Sequence, residues 1–413
     1  MAHDWKQTRL AEVCNFQNGF AFKNSDYVEE GNGAFEIFRM GHILRGGGFN
    51  PDGKKALVPE EQAQKLGRFL LNEGDILMCM TDMKSSMALL GHTARMPVSG
   101  RYLVNQRVGR ITVKKPDVLD QRFLYYYSNS PDYIDWLRSH ANSGVQVNLS
   151  TEAILNSPIS FPPLPVQRRI AGILSAYDEL MENSQRRIRL LEAMARALYR
   201  EWFVHFRFPG HEKRPRVASP LGDIPQGWEV RTVKDVATVT YGFPFASKKF
   251  NTDGIGTPVI RIRDILDASI NTFTDEEADP KYHIKNGDIL VGMDGDFHMC
   301  IWSSGHAFQN QRVAKFESNG EIGNYHLFLA LELPIQTWNK SIVGTTVAHL
   351  GDMHIKTIQI AWPPAKILAK AREILEPMSE QIIMLKRRVQ NLRRTRDLLL
   401  PRLLSGQVNL TTN

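Results

Sequence analysis

The chain has 413 residues, 42% of them hydrophobic and 23% charged, with a formal net charge of +7; that length allows two or three domains with sizeable cores, and the composition is globular rather than disordered. No apolar run approaches the ~20 residues of a membrane span, and MAHDWKQTRL lacks the apolar centre of a signal peptide. Cys14, Cys79 and Cys300 are scattered without CxxC spacing, which excludes a disulfide framework and fits a reducing cytoplasm.

In chain order, DWKQTRLAEVCNFQNGFAF (Asp4 to Phe22) supplies a Trp, a strand-like run and then Gly-Phe-x-Phe. FRMGHIL follows from Phe38 to Leu44, and NEGDILMCMTD from Asn72 to Asp82 sets a Glu-Gly-Asp turn before a buried strand. VNQRVGRITV is β-branched and alternating, which predicts a strand. QRFLYYYSNSPDYIDWLRSH predicts a short amphipathic helix. In FPPLPVQRRIAGIL (Phe161 to Leu174), Pro162, Pro163 and Pro165 cannot continue a sheet ladder. They stiffen the exit from a globule and aim the next helix away from it. From Ile170 the apolar positions then step by four and three through Leu174, Tyr177, Met181, Ser184, Ile188, Leu191, Ala195 and Leu198 to Trp202, with Ser184 the only break.

The second half repeats that order. GWEVRTVKDVATVTYGFPF (Gly227 to Phe245) answers the opening stretch, IRIRDIL (Ile260 to Leu266) answers FRMGHIL, and KNGDILVGMDG (Lys285 to Gly295) answers NEGDILMCMTD. NQRVAKF at Asn310 answers NQRVGRI at Asn105, and GTPVIRIRDIL reads as strand. NYHLFLALELPIQTWNKSI predicts another short amphipathic helix. The offset drifts from 223 residues at Gly19 and Gly242, through 205 at Asn105 and Asn310, to 201 at Pro162 and Pro363. One order with shifting gaps means a duplicated domain with different loops, not a solenoid.

After Pro363 and Pro364 the stripe returns: Leu368, Ala371, Leu375, Met378, Ile382, Leu385, Val389, Leu392, Arg396, Leu399, Leu403, with Arg396 the only charged step. Pro377 should kink this helix or end one segment. A 4-3 stripe held this long calls for a coiled-coil partner. Two stripes in one chain most simply pair with each other, and a separate partner for each is the alternative. At 1.5 Å per residue each helix is roughly 55–60 Å long. The expected fold is α+β: two homologous globules of roughly 160 residues, joined by two long antiparallel coiled-coil helices and related by a pseudo-two-fold. The boundaries fall at 1–160, 161–208, 209–362 and 363–413, a ruler with a globule at either end.

Between Lys366 and Arg402 there are ten Lys or Arg against four Asp or Glu, and KRRVQNLRRTR alone holds six cations. A solvated helix face accounts for such a cluster, as does nucleic acid or an acidic protein; charge alone does not choose. Catalytic motifs are missing. SFPPLP and AWPPAK lack the amide that a base-flipping methyltransferase loop carries before its prolines. Gly46–Gly48 is a lone glycine loop, no Walker A sequence exists, and PDGKK reads as a hairpin turn. His298, His349 and His354 lack the partners of a zinc site and read as loop or strand residues.

LYREWFVHFRFPG after the central helix, LGDIPQGWEV opening the second half and LLLPRLLSGQVNL at the end resemble the specificity subunit of type I restriction-modification systems. The paired Gly-Phe-x-Phe, Gly-Asp-Ile-Leu and Asn-Gln-Arg elements resemble that family's two target recognition domains, and the likeness spans essentially the whole chain. AKILAK after the second Pro-Pro, where the first copy has LPVQRRI, is a departure that blurs the second helix entry. The resemblance implies a non-catalytic reader of double-stranded DNA with no cofactor or metal of its own. The globules 1–160 and 209–362 would each read one half of a bipartite target. The helices would set the spacer and dock two DNA adenine methyltransferase subunits, which bind S-adenosylmethionine. Motor-nuclease subunits would complete the restriction enzyme, and no membrane is involved.

Base-reading candidates lie in loops that differ between the copies: Lys23, Arg39, His42, Arg45, Thr81, Lys84, Gln146 and Asn148 in the first, and Lys248, Lys249, Arg261, Arg263, Asp294, Asp296, His298 and Thr345 in the second. Arg suits guanine, and Asn or Gln suits adenine; a structural or phosphate role is the competing reading for each. The Asn-Gln-Arg triplets are shared, which fits structure or backbone contact better than discrimination. Phe20, Phe22, Phe243 and Phe245 fit core. Tyr199, Trp202, Phe203 and Phe206 are the candidates for partner docking. A stand-alone DNA-binding regulator of the same build, or a coiled-coil scaffold without DNA contact, are the alternatives.

Overall fold

A computed structural model describes residues 5–29, 34–142, 144–267, 270–341, 349–408 and 410. The chain forms two compact units, Met1–Glu179 with Arg393–Asn413, and Leu180–Leu392.

In the first unit, strands Cys14–Asn18, Val108–Val113, Ile76–Cys79 and Thr93–Arg95 lie in that order in an antiparallel sheet. A second sheet joins Leu57–Val58, Phe35–Phe38 and Tyr102–Val104, and Lys6–Arg9 pairs with Pro158–Phe161. Ile76–Cys79 is buried throughout, and alternation divides its side chains between two cores. Ile76 and Met78 join Leu10, Ile111, Phe123 and Phe161, whereas Leu77 and Cys79 join Ile37, Phe38 and Leu103. The turn feeding this strand is closed by Asp75, whose carboxylate accepts the Asn72 N–H at 2.9 Å, and Gly74 takes a φ of +88° there that a side chain would resist.

The second unit repeats this arrangement. Ala237–Tyr241, Val313–Ser318, Ile289–Gly292 and Met299–Ile301 form the antiparallel sheet. Phe250–Asn251, Phe273–Thr274, Thr257–Ile260, Ala307–Gln309 and His283–Ile284 form the second, and Glu229–Thr232 pairs with Gln359–Trp362. Asp288 accepts the Lys285 N–H at 2.9 Å, as Asp75 does in the first unit. GTPVIRIRDIL is strand only over Thr257–Ile260, and Asp264–Asp267 turns helical.

The long helices run over Leu164–Tyr199 and Ala365–Leu404, about 54 and 60 Å at 1.5 Å per residue. They pair antiparallel: Asp178 meets Arg396 at 2.7 Å, and Glu192 meets Lys386 at 3.0 Å. In the first unit Ile170, Ala171 and Leu174 pack with Leu400 and Leu403; in the second Ile188 and Ala195 pack with Leu375, Ile382 and Leu385. Buried Ser184 is satisfied within its own helix, donating to the Leu180 carbonyl at 2.7 Å. The helix does not end at Pro377 but runs on through it. That proline is exposed, while Leu375 and Ile382 are buried on the paired face and outweigh the ~3 kcal/mol of a helical proline. QRFLYYYSNSPDYIDWLRSH is two helices, Gln121–Ser128 and Pro131–Ser139. Asp120 caps the first and Pro131 opens the second, where its missing N–H costs nothing.

On helix Asn324–Ser341, His326 is 3% exposed, against the rings of Phe203 at 4.4 Å and Tyr199 at 5.4 Å. Burial pushes its pKa down to about 3. The folded imidazole is therefore neutral where the unfolded one, near pH 6.5 and below, takes a proton, so stability falls as pH drops from about 6.5 toward 3. His326→Phe is expected to match the native protein's thermal midpoint dependence above pH 7 and to lose less stability between pH 6.5 and pH 4. Parallel melting curves across that range would show the imidazole to be inert.

Candidate nucleic-acid interface

One backbone joint recurs in both units. Gly19 and Phe20 donate their N–H groups to the Val108 and Val104 carbonyls at 3.0 and 2.9 Å; Gly242 and Phe243 donate to Val313 and Gln309 at 3.1 and 2.9 Å. A Cβ at Gly19 would be driven into the Asn105 carbonyl, and one at Gly242 into that of Asn310. Gly-Phe-x-Phe and Asn-Gln-Arg are thus two sides of one joint. Phe20 and Phe22 pack on the second core of the first unit, and buried Phe245 stacks on Phe308.

At the first unit's edges Lys23 is exposed, its N–H tied to Asp26 at 2.7 Å. The half-buried Arg39 guanidinium donates to the Lys54 carbonyl, and Arg45 is exposed three residues past His42. His42 itself is fully buried. Its Nδ1 accepts the Arg39 N–H at 3.1 Å and its Nε2 lies 3.0 Å from Glu36, inside a cage of Phe38, Phe49 and Tyr102. That placement removes His42 from the groups that can meet a base edge. Thr81, Lys84, Gln146 and Asn148 come together because Thr81–Met83 pairs with Gln146–Asn148. Thr81 is buried and donates to Asn148 Oδ1 at 2.7 Å, whereas Lys84 and Gln146 are exposed.

In the second unit Lys248 and Lys249 are exposed, Lys249 lying 3.6 Å from Glu276. Arg261 sits over the Phe250 ring, and exposed Arg263 lies 3.8 Å from Asp264. Asp294 receives His349 Nδ1 at 2.6 Å and Arg312 Nε at 3.2 Å. Asp296 is exposed and its carbonyl accepts the N–H of half-buried His298 at 2.8 Å. Thr345 lies outside the described residues. His349 and Arg312, which both meet Asp294, are not among the base-reading candidates. The signal for His349 was its offset of 201 from Asn148, identical to that between Pro162 and Pro363.

The docking candidates lie where the central helix meets the core of the second unit. Phe203 is 4% exposed, and Tyr199, Trp202 and Phe206 pack half-buried on the same core, with Phe206 edge-on to Trp228 at 5.2 Å. Exposed apolar side chains on the central helix are Leu180, Leu190 and Met194; on the C-terminal helix they are Ile374, Met384 and Leu398. Of the six cations in KRRVQNLRRTR, Lys386 meets Glu192 and Arg396 meets Asp178, while Arg387, Arg388, Arg393 and Arg394 are exposed. Burial pushes the thiols of Cys14, Cys79 and Cys300 up to about 12, leaving them protonated at neutral pH. Among the described residues no three His, Cys, Asp or Glu are placed to hold a metal ion, and no helix is long and apolar enough to cross a membrane.

Residues 2–193 and 225–394 match the family described as the type I restriction modification DNA specificity domain. The type I restriction enzyme MjaIX specificity subunit of Methanocaldococcus jannaschii is 23% identical over 370 residues, covering 86% of this chain and 82% of that protein. The EcoBI specificity subunit of Escherichia coli is 32% identical over 173 residues, covering 42% and 36%. Among solved structures, the type I restriction-modification S subunit from M. genitalium shares the fold, with a TM-score of 0.60 at 15% identity over 97% of this chain and 96% of that one.

Proposed function

The chain belongs to the type I restriction modification DNA specificity family, and from that membership we propose that it is the non-catalytic DNA-reading subunit of a type I restriction-modification complex. Each reading domain, 1–160 and 209–362, takes one half of a bipartite double-stranded target, and the paired helices fix the number of unspecified bases between the halves. Half-sites one helical turn apart lie roughly 34 Å from each other, a span within the length of the 36-residue central helix.

The observation that carries this reading is a frame built twice with different side chains at matched places. The Gly-Phe joint and the Asp-closed turn recur bond for bond, whereas Thr81 and Asn148 stand where the second unit has Asp294 and His349. Phosphate contacts hold a protein on DNA and only base-edge contacts distinguish sequences, so two different words need one frame and two sets of edges. Exposed Lys23, Arg45, Lys84, Lys248 and Arg263 supply cations for the backbone, which makes affinity fall steeply with salt. Two DNA adenine methyltransferase subunits, bringing S-adenosylmethionine, dock on helix faces that carry Leu190, Met194 and Met384; motor-nuclease subunits join them in the full complex.

Replacing residues 4–160 with the first domain of another family member is expected to change one half of the modified motif and to leave the other half and the spacer intact. Methylome sequencing of cells expressing the chimaera with its methyltransferase subunits reads this directly. A change in both halves would count against separate reading.

A further inference from the structure

The two units place a matched pair of side chains on the same backbone bridge. In the first, Thr81 lies opposite Asn148, Leu149 N–H donates to the Met80 carbonyl at 2.8 Å, and Met80 N–H donates to that of Arg107 at 3.0 Å. In the second, Asp294 lies opposite His349, Leu350 N–H donates to Met293 at 2.7 Å, and Met293 N–H donates to Arg312 at 3.0 Å. The frame is constant and the chemistry on it is not.

In the first pair the Thr81 hydroxyl donates to Asn148 Oδ1 at 2.7 Å, and one N–H of the Asn148 amide donates to the Gln146 carbonyl at 3.3 Å. An amide oxygen has two acceptor positions and an NH2 two donors, so among the described residues Asn148 keeps one of each. That remaining combination complements adenine, whose N6 donates and whose N7 accepts. In the second pair the Asp294 carboxylate takes His349 Nδ1–H at 2.6 Å and forms an ion pair with the Arg312 guanidinium, whose Nε lies 3.2 Å away. It thereby orients a guanidinium that is 55% exposed and an imidazole that is 47% exposed. Among the described residues neither Nη group of Arg312 has a hydrogen-bond partner, which leaves a fork, the complement of guanine O6 and N7. Arg107 stands at the same place in the first unit, where Thr81 offers no carboxylate to fix it.

We propose that this bridge is a base-reading position in both domains: Asn148, held by Thr81, selects adenine in one half-site, and Arg312, held by Asp294 beside His349, selects guanine in the other. The assignment deepens the DNA-reading function and rests on it. It also gives the shared arginine different work in the two copies, set by the residue that grips it.

The full-length chain is expressed with its methyltransferase subunits, and the modified motif is read by methylome sequencing. Asp294→Thr with His349→Asn installs the first unit's pair in the second. One position of the second half-site is expected to lose its guanine requirement, with discrimination falling about 10–100-fold, and the first half-site stays as it was. Arg312→Lys keeps the charge but not the fork. It should relax the same position while preserving the salt dependence of binding, and it decides the matter if the double variant does not fold. Asn148→Asp should relax an adenine in the first half-site alone. Unchanged motifs in variants that still methylate overturn the base assignment and leave the DNA-reading function standing; a native complex that methylates without any bipartite motif would remove that function itself.

Discussion

Arg396→Leu is expected to destabilise the protein by about 3–5 kcal/mol, and adding Asp178→Leu with Tyr126→Phe should recover most of that loss. Arg396 is the charged step in an otherwise apolar stripe, and its side chain is 12% exposed. Its Nη1 meets Asp178 at 2.7 Å, and Asp178 also accepts the Tyr126 hydroxyl at 2.7 Å. Removing the guanidinium alone leaves the partly buried Asp178 carboxylate, 28% exposed, answered only by a phenol, and strands Asp397, which the guanidinium also meets at 2.7 Å; breaking such a pair from one side is costlier than the pair was worth. Replacing all three by apolar groups removes the desolvation cost and the orphaned hydroxyl together. The pair therefore contributes register more than net stability. An apolar 4-3 stripe tolerates a slip of seven residues, but such a slip would set Arg396 opposite Ala171 or Gln185, where no carboxylate waits. Denaturant midpoints for the single and triple variants measure both effects, and a loss below about 1 kcal/mol for Arg396→Leu would mean the pair behaves as a surface ion pair.

What could be read from the sequence was what adjacent residues decide. The 4-3 stripe reports a helix face directly, and Ile170, Leu174, Met181, Leu375, Ile382 and Leu385 are buried as that period requires. The duplication was legible because matched motifs kept their order, and both copies of Asn-Gly-Asp and Glu-Gly-Asp do enter buried strands. What depends on distant residues was not legible. His42 read as a polar loop residue because nothing near it in sequence announces that Phe49 and Tyr102 enclose it. The burial of Phe203 was not legible because Trp228 and His326, which cover it, come from other parts of the chain. The Thr81–Asn148 bond spans 67 positions, and the Asp294–His349 bond spans 55. Local propensity also allowed a helix end at Pro377, where packing on the opposite face keeps the helix continuous despite the backbone penalty.

Gly19→Ala should cost about 3–5 kcal/mol, and Gly242→Ala the same in the other unit, although each adds a single methyl group. Neither glycine needs a left-handed backbone, since neither has a positive φ; each is required because a carbonyl occupies the space a Cβ would take. The new carbon at Gly19 would meet the Asn105 carbonyl well inside van der Waals contact and lie 2.7 Å from the Val104 oxygen. These are backbone atoms of Tyr102–Val104 and of the turn after it, which cannot rotate aside as a side chain could. Overpacking of this kind costs about 1–3 kcal/mol, and opening the joint forfeits the bonds from Gly19 N–H and Phe20 N–H, about 1 kcal/mol each. Gly41→Ala is the control, because nothing lies within 4 Å of its Cβ position, and it should unfold at the native midpoint to within ~0.5 kcal/mol. The loss should also be confined. Hydrogen exchange should show faster amides over Ala237–Tyr241 and Val313–Ser318 in Gly242→Ala, with Cys14–Asn18 and Val108–Val113 unchanged. Since each unit buries its own core, protection lost equally in both sheets would mean the two frames fold as one cooperative body.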